Sequence, residues 1–293
     1  MNIMDEIKAS FKTGSTLTRL IYVNLGVFLL IQIAMIFLHL FNAGDVLYEA
    51  INWLGVPWDL HTLISRPWTI ITYMFVHENF LHILFNLLWL YWFGKIFLSY
   101  LSERQLLSVY ILGGIAGALL YIISYNIFPG LYQQNPAVIA IGASAAIMAI
   151  VIAIGTLMPD YKIYIVFLGP VKIIYVALAG FILSSLLDFS VNTGGKIAHI
   201  GGAAFGYFFT IRYKNGRDIT MGFSRFIDRI FYIFRPRKKM RVTHKRTVSD
   251  DLEYNRMKME KQQEIDRILD KISKKGYDSL SAEEKETLFK MNK

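Results

Sequence analysis

Residues 198–206 read AHIGGAAFG and lie within an apolar run that covers residues 197–213. Gly202 and Gly206 are four residues apart, so on a helix they share one face. Small residues at this spacing let two membrane helices pack with their backbones close together. His199 lies about one helical turn before Gly202, which puts an ionisable side chain beside that packing face. The stretch predicts a tightly packed membrane helix that carries a histidine.

Five other runs share this apolar character and have about the length that crosses a bilayer, roughly 18 to 25 residues. They cover residues 17–41, 80–101, 105–127, 138–158 and 170–187. The whole chain has 293 residues, of which 54% are hydrophobic, a composition typical of integral membrane proteins. We therefore predict an all-α, multi-pass fold: a bundle of six transmembrane helices in residues 17–213, preceded by a cytosolic segment, 1–16.

The distribution of Lys and Arg near the ends of these runs predicts their orientation, because cytosolic loops are enriched in both. On the six-span topology, only Arg66 and Lys196 fall on one side. The opposite side receives Lys8, Lys12, Arg19, Lys95, Arg104, Lys162, Lys172 and Arg212. Both termini are therefore expected in the cytosol, and we expect a bacterial inner or plasma membrane.

Residues 214–293 differ from the rest in composition and are predicted to form a basic cytosolic tail. The chain has a formal net charge of +9, and its densest basic stretch, 235–246, closely follows the last apolar run. Anionic lipid would attract such a stretch, so membrane lipid is the favoured partner and nucleic acid is not expected. Further on, apolar residues recur at helical spacing and predict a helical hairpin near 262–290. They include Ile265, Ile268, Leu269 and Ile272.

Polar residues inside the apolar runs are the candidate functional residues, because burying them in lipid is costly. No Asp or Glu lies near the centre of a run, which argues against a carboxylate protease or proton relay. His82 and Asn86 are four residues apart and share a helical face. Ser144 follows Gly142 in a stretch of small residues. Ordinary helix packing is an alternative explanation for each of these features taken alone.

Together these residues provide the groups that acyl transfer requires. A serine hydroxyl needs a nearby base, and histidine is the usual one, so Ser144 is the candidate nucleophile and His199 the general base and acid. The side chains of His82 and Asn86, with the Ser144 backbone N–H, are candidate donors to the oxyanion. The spacing of His77 and His82 does not fit the helical zinc signature, and without cysteine there is no thiol nucleophile.

In this order and spacing, the three motifs resemble those of the rhomboid family of intramembrane serine proteases. The motifs are His82-x-x-x-Asn86, Gly142-x-Ser144 and Ala198-His199-x-x-Gly202-x-x-x-Gly206. The resemblance covers roughly residues 17–212. It implies a six-helix core, a Ser–His dyad, an oxyanion site at His82 and Asn86, and no metal or organic cofactor. It also implies cleavage of transmembrane protein substrates, which we expect near the outer side of the membrane. Gly142, Gly202 and Gly206 are expected to support helix packing.

The chain departs from the family pattern at several positions. Ala145 follows the serine where the family usually has glycine, and Met148 stands where an aromatic is common. Trp68 resembles the tryptophan of a family Trp-Arg element, but here the arginine, Arg66, precedes it. The main alternative function is a non-catalytic rhomboid-like protein that binds or escorts membrane helices. A transporter is less favoured, because there are no paired broken helices or intramembrane carboxylates.

Overall fold

The computed structural model describes residues 2–133, 139–187, 192–234 and 248–290. These residues form two compact units, Met1–Phe234 and Arg235–Lys293. The helices of the first unit are α1 (Ile3–Thr13), α2 (Thr16–Leu40), α3 (Gly44–Asn52), α4 (Leu60–Ser65), α5 (Thr69–Thr72), α6 (Phe80–Tyr100), α7 (Glu103–Ile127), α8 (Pro129–Tyr132), α9 (Ser144–Leu157), α10 (Ile173–Ser185), α11 (Thr193–Lys214) and α12 (Met221–Phe234). The second unit contains α13 (Val248–Lys275) and α14 (Ala282–Lys290).

The prediction of a predominantly helical membrane protein is confirmed. Among the described residues, α2, α6 and α7 are long and apolar enough to cross a membrane. Helices α9 and α10 are also apolar but have only 14 and 13 residues. At 1.5 Å per residue each is about 20 Å long, less than the roughly 30 Å of a bilayer's hydrocarbon core. The predicted number of membrane spans, six, therefore stays a prediction.

The fold also contains strands, so the expectation of an all-α chain is wrong in detail. Strand β1 (Val56–Pro57) pairs antiparallel with β2 (Ile139–Ala140), with Val56 opposite Ala140. The predicted helix over 138–158 therefore starts only at Ser144, after Gly142 has turned the chain with a φ of +119°. Strands β3 (Lys162–Ile165) and β4 (Gly169–Lys172) form a hairpin between α9 and α10. Apolar composition alone does not separate such strands from a membrane helix.

The centre of the first unit is a close packing of α7, α9 and α11. Every residue in 145–155 of α9 is buried. A Cβ added at Gly202 would lie 2.0 Å from the Ala145 carbonyl oxygen, and one at Gly206 would lie 2.2 Å from that of Ala149. On the α7 side, a Cβ at Gly113 would lie 2.3 Å from the Ala149 Cβ. Each of these glycines therefore admits a neighbouring helix that any larger residue would push away.

Several helices begin or end at the same end of the first unit. The Thr16 N–H, at the start of α2, donates to Glu103 at the start of α7, with an N–O distance of 3.0 Å. At the ends of α11 and α9, Lys214 Nζ donates to the Thr156 carbonyl at 2.7 Å. A third bond, from Gln105 Nε2 in the first turn of α7 to Asp218 just after α11, joins these two pairs. The starts of α2 and α7 therefore lie at the same end of the unit as the ends of α9 and α11. The start of α9, where Ser144 lies, is at the opposite end of that helix.

In the second unit, a short connection joins α13 to α14. Ile268 of α13 and Leu280, in the connection to α14, are buried. Lys271 Nζ lies 2.7 Å from a Glu284 carboxylate oxygen. The Lys271 ammonium and the Ser281 backbone N–H both donate to this carboxylate and lower the pKa of Glu284 to about 2. The basic stretch predicted to bind lipid, 235–246, lies outside the described residues.

The contact between α9 and α11 can be tested with Gly206→Ala. The new methyl group would meet the Ala149 carbonyl, a backbone atom that moves only if its helix moves. We expect the free energy of unfolding to fall by about 1–3 kcal/mol, the usual cost of overpacking. Gly26→Ala in α2 is the matched control, because nothing lies within 4 Å of its added Cβ. Thermal unfolding in detergent compares the two, and equal melting temperatures would contradict this packing.

Candidate active site

Ser144 is the first residue of α9 and emerges from a sharp turn. The turn depends on Gly142, whose φ of +119° suits glycine, and whose N–H donates to the Tyr73 carbonyl at 2.8 Å. A Cβ at this position would also lie 2.9 Å from Nε2 of His82 and 3.7 Å from Oγ of Ser144. Gly142 therefore does more than support helix packing, because both its conformation and the adjacent imidazole exclude a side chain.

His199 of α11 reaches across to this serine. Its Nε2 lies 2.6 Å from Ser144 Oγ, and its Nδ1 lies 3.2 Å from the backbone carbonyl oxygen of Ser184 in α10. A carbonyl oxygen only accepts hydrogen bonds, so Nδ1 carries the proton of the neutral ring. Nε2 is then left with a lone pair that faces the serine hydroxyl. The Ser184 carbonyl thus selects the tautomer in which Nε2 accepts the hydrogen of the Ser144 hydroxyl.

His82 and Asn86 lie on α6, and the His82 ring is close to Gly142, two residues before the serine. The Asn86 side-chain amide donates to the His82 carbonyl at 2.9 Å, and Asn86 is largely buried. The His82 backbone N–H donates to the side chain of Asn79, which caps the start of α6. Three separate helices thus bring together the four polar residues that the sequence singled out.

The four side chains line a cavity of about 820 Å³ bounded by α6, α9, α10 and α11. The rest of its wall is mainly apolar and includes Phe85, Trp89, Met148 and Leu183. Met148, one of the departures from the family pattern, therefore contributes to the wall of the site. Trp89 of α6 contacts α10 at Gly180, where an added Cβ would lie 2.3 Å from the indole ring. This size is typical of cavities that bind extended or drug-sized ligands.

The sequence does not predict the position of His77, because its spacing from His82 bears only on the zinc signature. Its side chain is 2% exposed, and its ring meets that of His82 edge-on, with centroids 5.2 Å apart. Neither ring nitrogen has a hydrogen-bond partner within the described part of the chain. Buried polar atoms without partners are rare and costly. The contact of His77 with His82 is thus one of ring packing, and it limits where the His82 ring can lie.

The segment ahead of α6 is held by an aromatic cluster. The rings of Trp53 and Trp68 stack with centroids 5.8 Å apart, and Trp68 Nε1 donates to the Trp53 carbonyl at 2.9 Å. The Arg66 guanidinium lies 4.2 Å from the centroid of the Trp53 ring. Arg66 and Trp68 thus act in one cluster, although their order differs from the Trp-Arg element that they resemble.

Comparisons with known proteins match the part of the chain that contains these residues. The Rhomboid domain model matches residues 65–215, a little more than half of the chain, and a family of unknown function (DUF6576) matches 249–291. RHOMBOID-like protein 12, mitochondrial, of Arabidopsis thaliana is 29% identical over 52% of this chain and 48% of its own length. Presenilin-associated rhomboid-like protein, mitochondrial, of Homo sapiens is 28% identical over 46% of this chain and 35% of its own. The matched region thus spans half or less of these relatives.

The names of these relatives correct the predicted location. The Arabidopsis thaliana and Homo sapiens proteins are both named as mitochondrial, as is the relative from Bos taurus, which is 27% identical over 144 residues. All three of these relatives are proteins of eukaryotes. These names contradict the expectation of a bacterial inner or plasma membrane.

The Ser144–His199 hydrogen bond predicts a nucleophile that reacts with a fluorophosphonate probe. We expect covalent labelling of the wild type and none of Ser144→Ala, and labelling should fall in acid as a protonated His199 ceases to accept a proton. Ser184→Ala is the matched control, because it keeps the backbone carbonyl that bonds His199 Nδ1. Probe fluorescence on a gel measures each. Labelling that survives His199→Ala would contradict this activation.

Two substitutions at His77 separate ring packing from hydrogen bonding. His77→Phe keeps a ring against His82 and removes two buried nitrogens, each of which costs about 1–3 kcal/mol when unpaired. We expect its free energy of unfolding to equal or exceed that of the wild type. His77→Ala should lose about 2–5 kcal/mol through the cavity it leaves. Thermal unfolding measures both, and an equal loss in the two variants would rule out the packing role.

Proposed function

The chain belongs to the rhomboid family, and from this premise and the Ser144–His199 geometry we propose that it is a serine endopeptidase that cleaves transmembrane proteins. The observation that carries the proposal is the 2.6 Å contact between Ser144 Oγ and His199 Nε2, with the tautomer set by the Ser184 carbonyl. A serine that only packed between helices would have no need of a base with its lone pair directed at the hydroxyl.

In the proposed reaction, His199 Nε2 takes the hydroxyl proton while Ser144 Oγ attacks a peptide carbonyl carbon. The tetrahedral intermediate collapses as His199 gives that proton to the departing amine, which leaves an acyl-enzyme ester on Ser144. Water then repeats the sequence: His199 takes its proton, the hydroxide attacks the ester, and Ser144 recovers its hydrogen. Both steps need only the one base, and no metal takes part.

Three kinds of donor are available to the oxyanion. Ser144 begins α9, so its backbone N–H and those of the next residues have no partner within the helix and present the positive end of the helix dipole. Asn86 uses one amide hydrogen on the His82 carbonyl and retains a second. The His82 ring lies beside Gly142, two residues from the nucleophile. These groups support assigning the oxyanion site to this side of Ser144.

The length of α9 bears on where cleavage would take place. Its 14 residues put Ser144 about 21 Å from the level where α9 and α11 end. In a hydrocarbon core of roughly 30 Å, the nucleophile then lies about 9 Å below the opposite surface. We infer that substrates are cut near that surface, on the side opposite the start of α2, and that a substrate helix unwinds there because helical carbonyls are already hydrogen-bonded.

A reconstituted cleavage assay tests the proposal. Purified protein in lipid vesicles with a labelled single-span substrate should cleave it in the presence of a chelator, and Ser144→Ala and His199→Ala should each lose activity by at least about 10³-fold. Ser184→Ala should remain active, because it alters neither the dyad nor the carbonyl that orients it. His82→Ala and Asn86→Ala should each lower kcat by about 10²–10³ with little change in KM.

The alternative function predicts a different result for this cleavage assay. A rhomboid-like protein that only binds membrane helices would use the apolar part of the cavity and leave the dyad idle. If the wild type retains a substrate helix in the bilayer but cleaves none of several substrates, the helix-binding function replaces the proteolytic one.

A further inference from the structure

The hairpin between α9 and α10 has an unusual tip. Ile165 pairs with Gly169, and the three residues between them form the loop. All three are apolar and strongly exposed: Val166 is 75% exposed, Phe167 is fully exposed and Leu168 is 73% exposed. An exposed apolar cluster of this kind marks an interaction surface more often than a solvent-facing loop.

The chemistry of the loop also argues against a position in water. Turns in water usually use Gly, Asn, Asp, Ser or Pro, which tolerate the required backbone angles or bond to the chain. Here Phe167 occupies the left-handed region with a φ of +70°, where a bulky residue is uncommon. A strained backbone that holds an aromatic ring outward is consistent with an apolar environment around that ring.

The base of the hairpin lies at the level where the helices end. Tyr161, just before β3, meets Tyr100 at the end of α6 edge-on, with ring centroids 6.2 Å apart. Lys172 Nζ at the end of β4 pairs with Asp160 at 2.6 Å and closes the base. Tyrosines and lysines at helix ends are characteristic of the membrane–water interface. The loop therefore lies within reach of the lipid headgroups.

We propose that the 162–172 hairpin is an interfacial anchor whose tip, Val166–Leu168, inserts at the boundary between the lipid headgroups and the acyl chains. The tip contacts lipid and not protein, because its apolar side chains match the acyl chains and the lysines and tyrosines at the base match the headgroups. The Ile173 N–H donates to the Tyr161 carbonyl at 2.7 Å, so the base continues directly into α10. The anchor thereby sets the depth of α10, the helix that supplies Gly180, Leu183 and Ser184 to the cavity wall. The hairpin itself contributes no residue to that wall.

The absence of cysteine from the chain permits a direct test with single nitroxide labels in phospholipid vesicles. Phe167→Cys reports on the tip. Leu30→Cys is the lipid reference, because it is 69% exposed within α2, and Lys258→Cys is the reference for water, because it is exposed on α13. Spin-label relaxation measures collision with oxygen, which concentrates in lipid, and with a water-soluble nickel chelate. We expect the oxygen-to-nickel ratio at 167 to exceed that at 258 several-fold and to approach that at 30.

Two other outcomes overturn the proposal. A ratio at 167 equal to that at 258 would place the tip in water. Protection from both reagents would mean that protein, either a second copy or a partner, covers it. Because Phe167→Cys removes an apolar ring, Val166→Cys repeats the measurement with Phe167 intact, and a lipid-like ratio is expected there too.

The effect on α10 is tested with a label near its start. Tyr175→Cys is suitable, because Tyr175 is 61% exposed in the first turn of the helix. Replacing the tip by Phe167→Asn and Leu168→Asn should shift this label towards the nickel reagent, whereas a label at Leu30 should not change. An unchanged ratio at 175 would show that the hairpin does not set the depth of α10.

Discussion

The close approach of α9 and α11 is the constraint on which the site depends. Lipid tails are as apolar as leucine side chains, so burial alone does little to hold two membrane helices together, and packing must do so. Gly202 and Gly206 let α11 lie directly on the backbone carbonyls of Ala145 and Ala149. His199 is three residues before Gly202, and Ser144 is next to Ala145. The same contact that joins the helices therefore sets the 2.6 Å distance between Nε2 and Oγ.

Much of this arrangement could be predicted from the sequence, because long apolar runs and small residues four apart have few structural interpretations. The predicted runs 17–41, 80–101 and 105–127 correspond to α2, α6 and α7 within a few residues. The start of α9 could not be predicted in this way. Strands β1 and β2 pair residues about eighty positions apart, and the apolar residues 138–143 carry no local sign of that partner. The β3–β4 hairpin could not be predicted either, because its apolar side chains are continuous with the predicted run 170–187.

Other parts of the site had no signal that a sequence could carry. The Ser184 carbonyl that orients His199 belongs to the backbone, so any residue type at this position would provide the same group. Within the described residues, the His77 nitrogens have no hydrogen-bond partner, which depends on the atoms that surround the ring in three dimensions. Residue types indicate which chemical groups are available. Contacts with backbone atoms and the packing around a buried ring depend on the tertiary fold.

The use of a carbonyl in place of a carboxylate follows from the surroundings of the dyad. A carboxylate beside His199 would have to be desolvated within the membrane, where an unpaired charge is costly. The Ser184 carbonyl orients the ring without that cost, but it offers no negative charge to the imidazolium that forms during attack. In the proposed reaction, that cation and the oxyanion appear together within one cavity. Their mutual attraction, which is strong at low dielectric, and the free N–H groups at the start of α9 then stabilise the transition state, so the position of Ser144 at a helix start serves the chemistry as well as the fold.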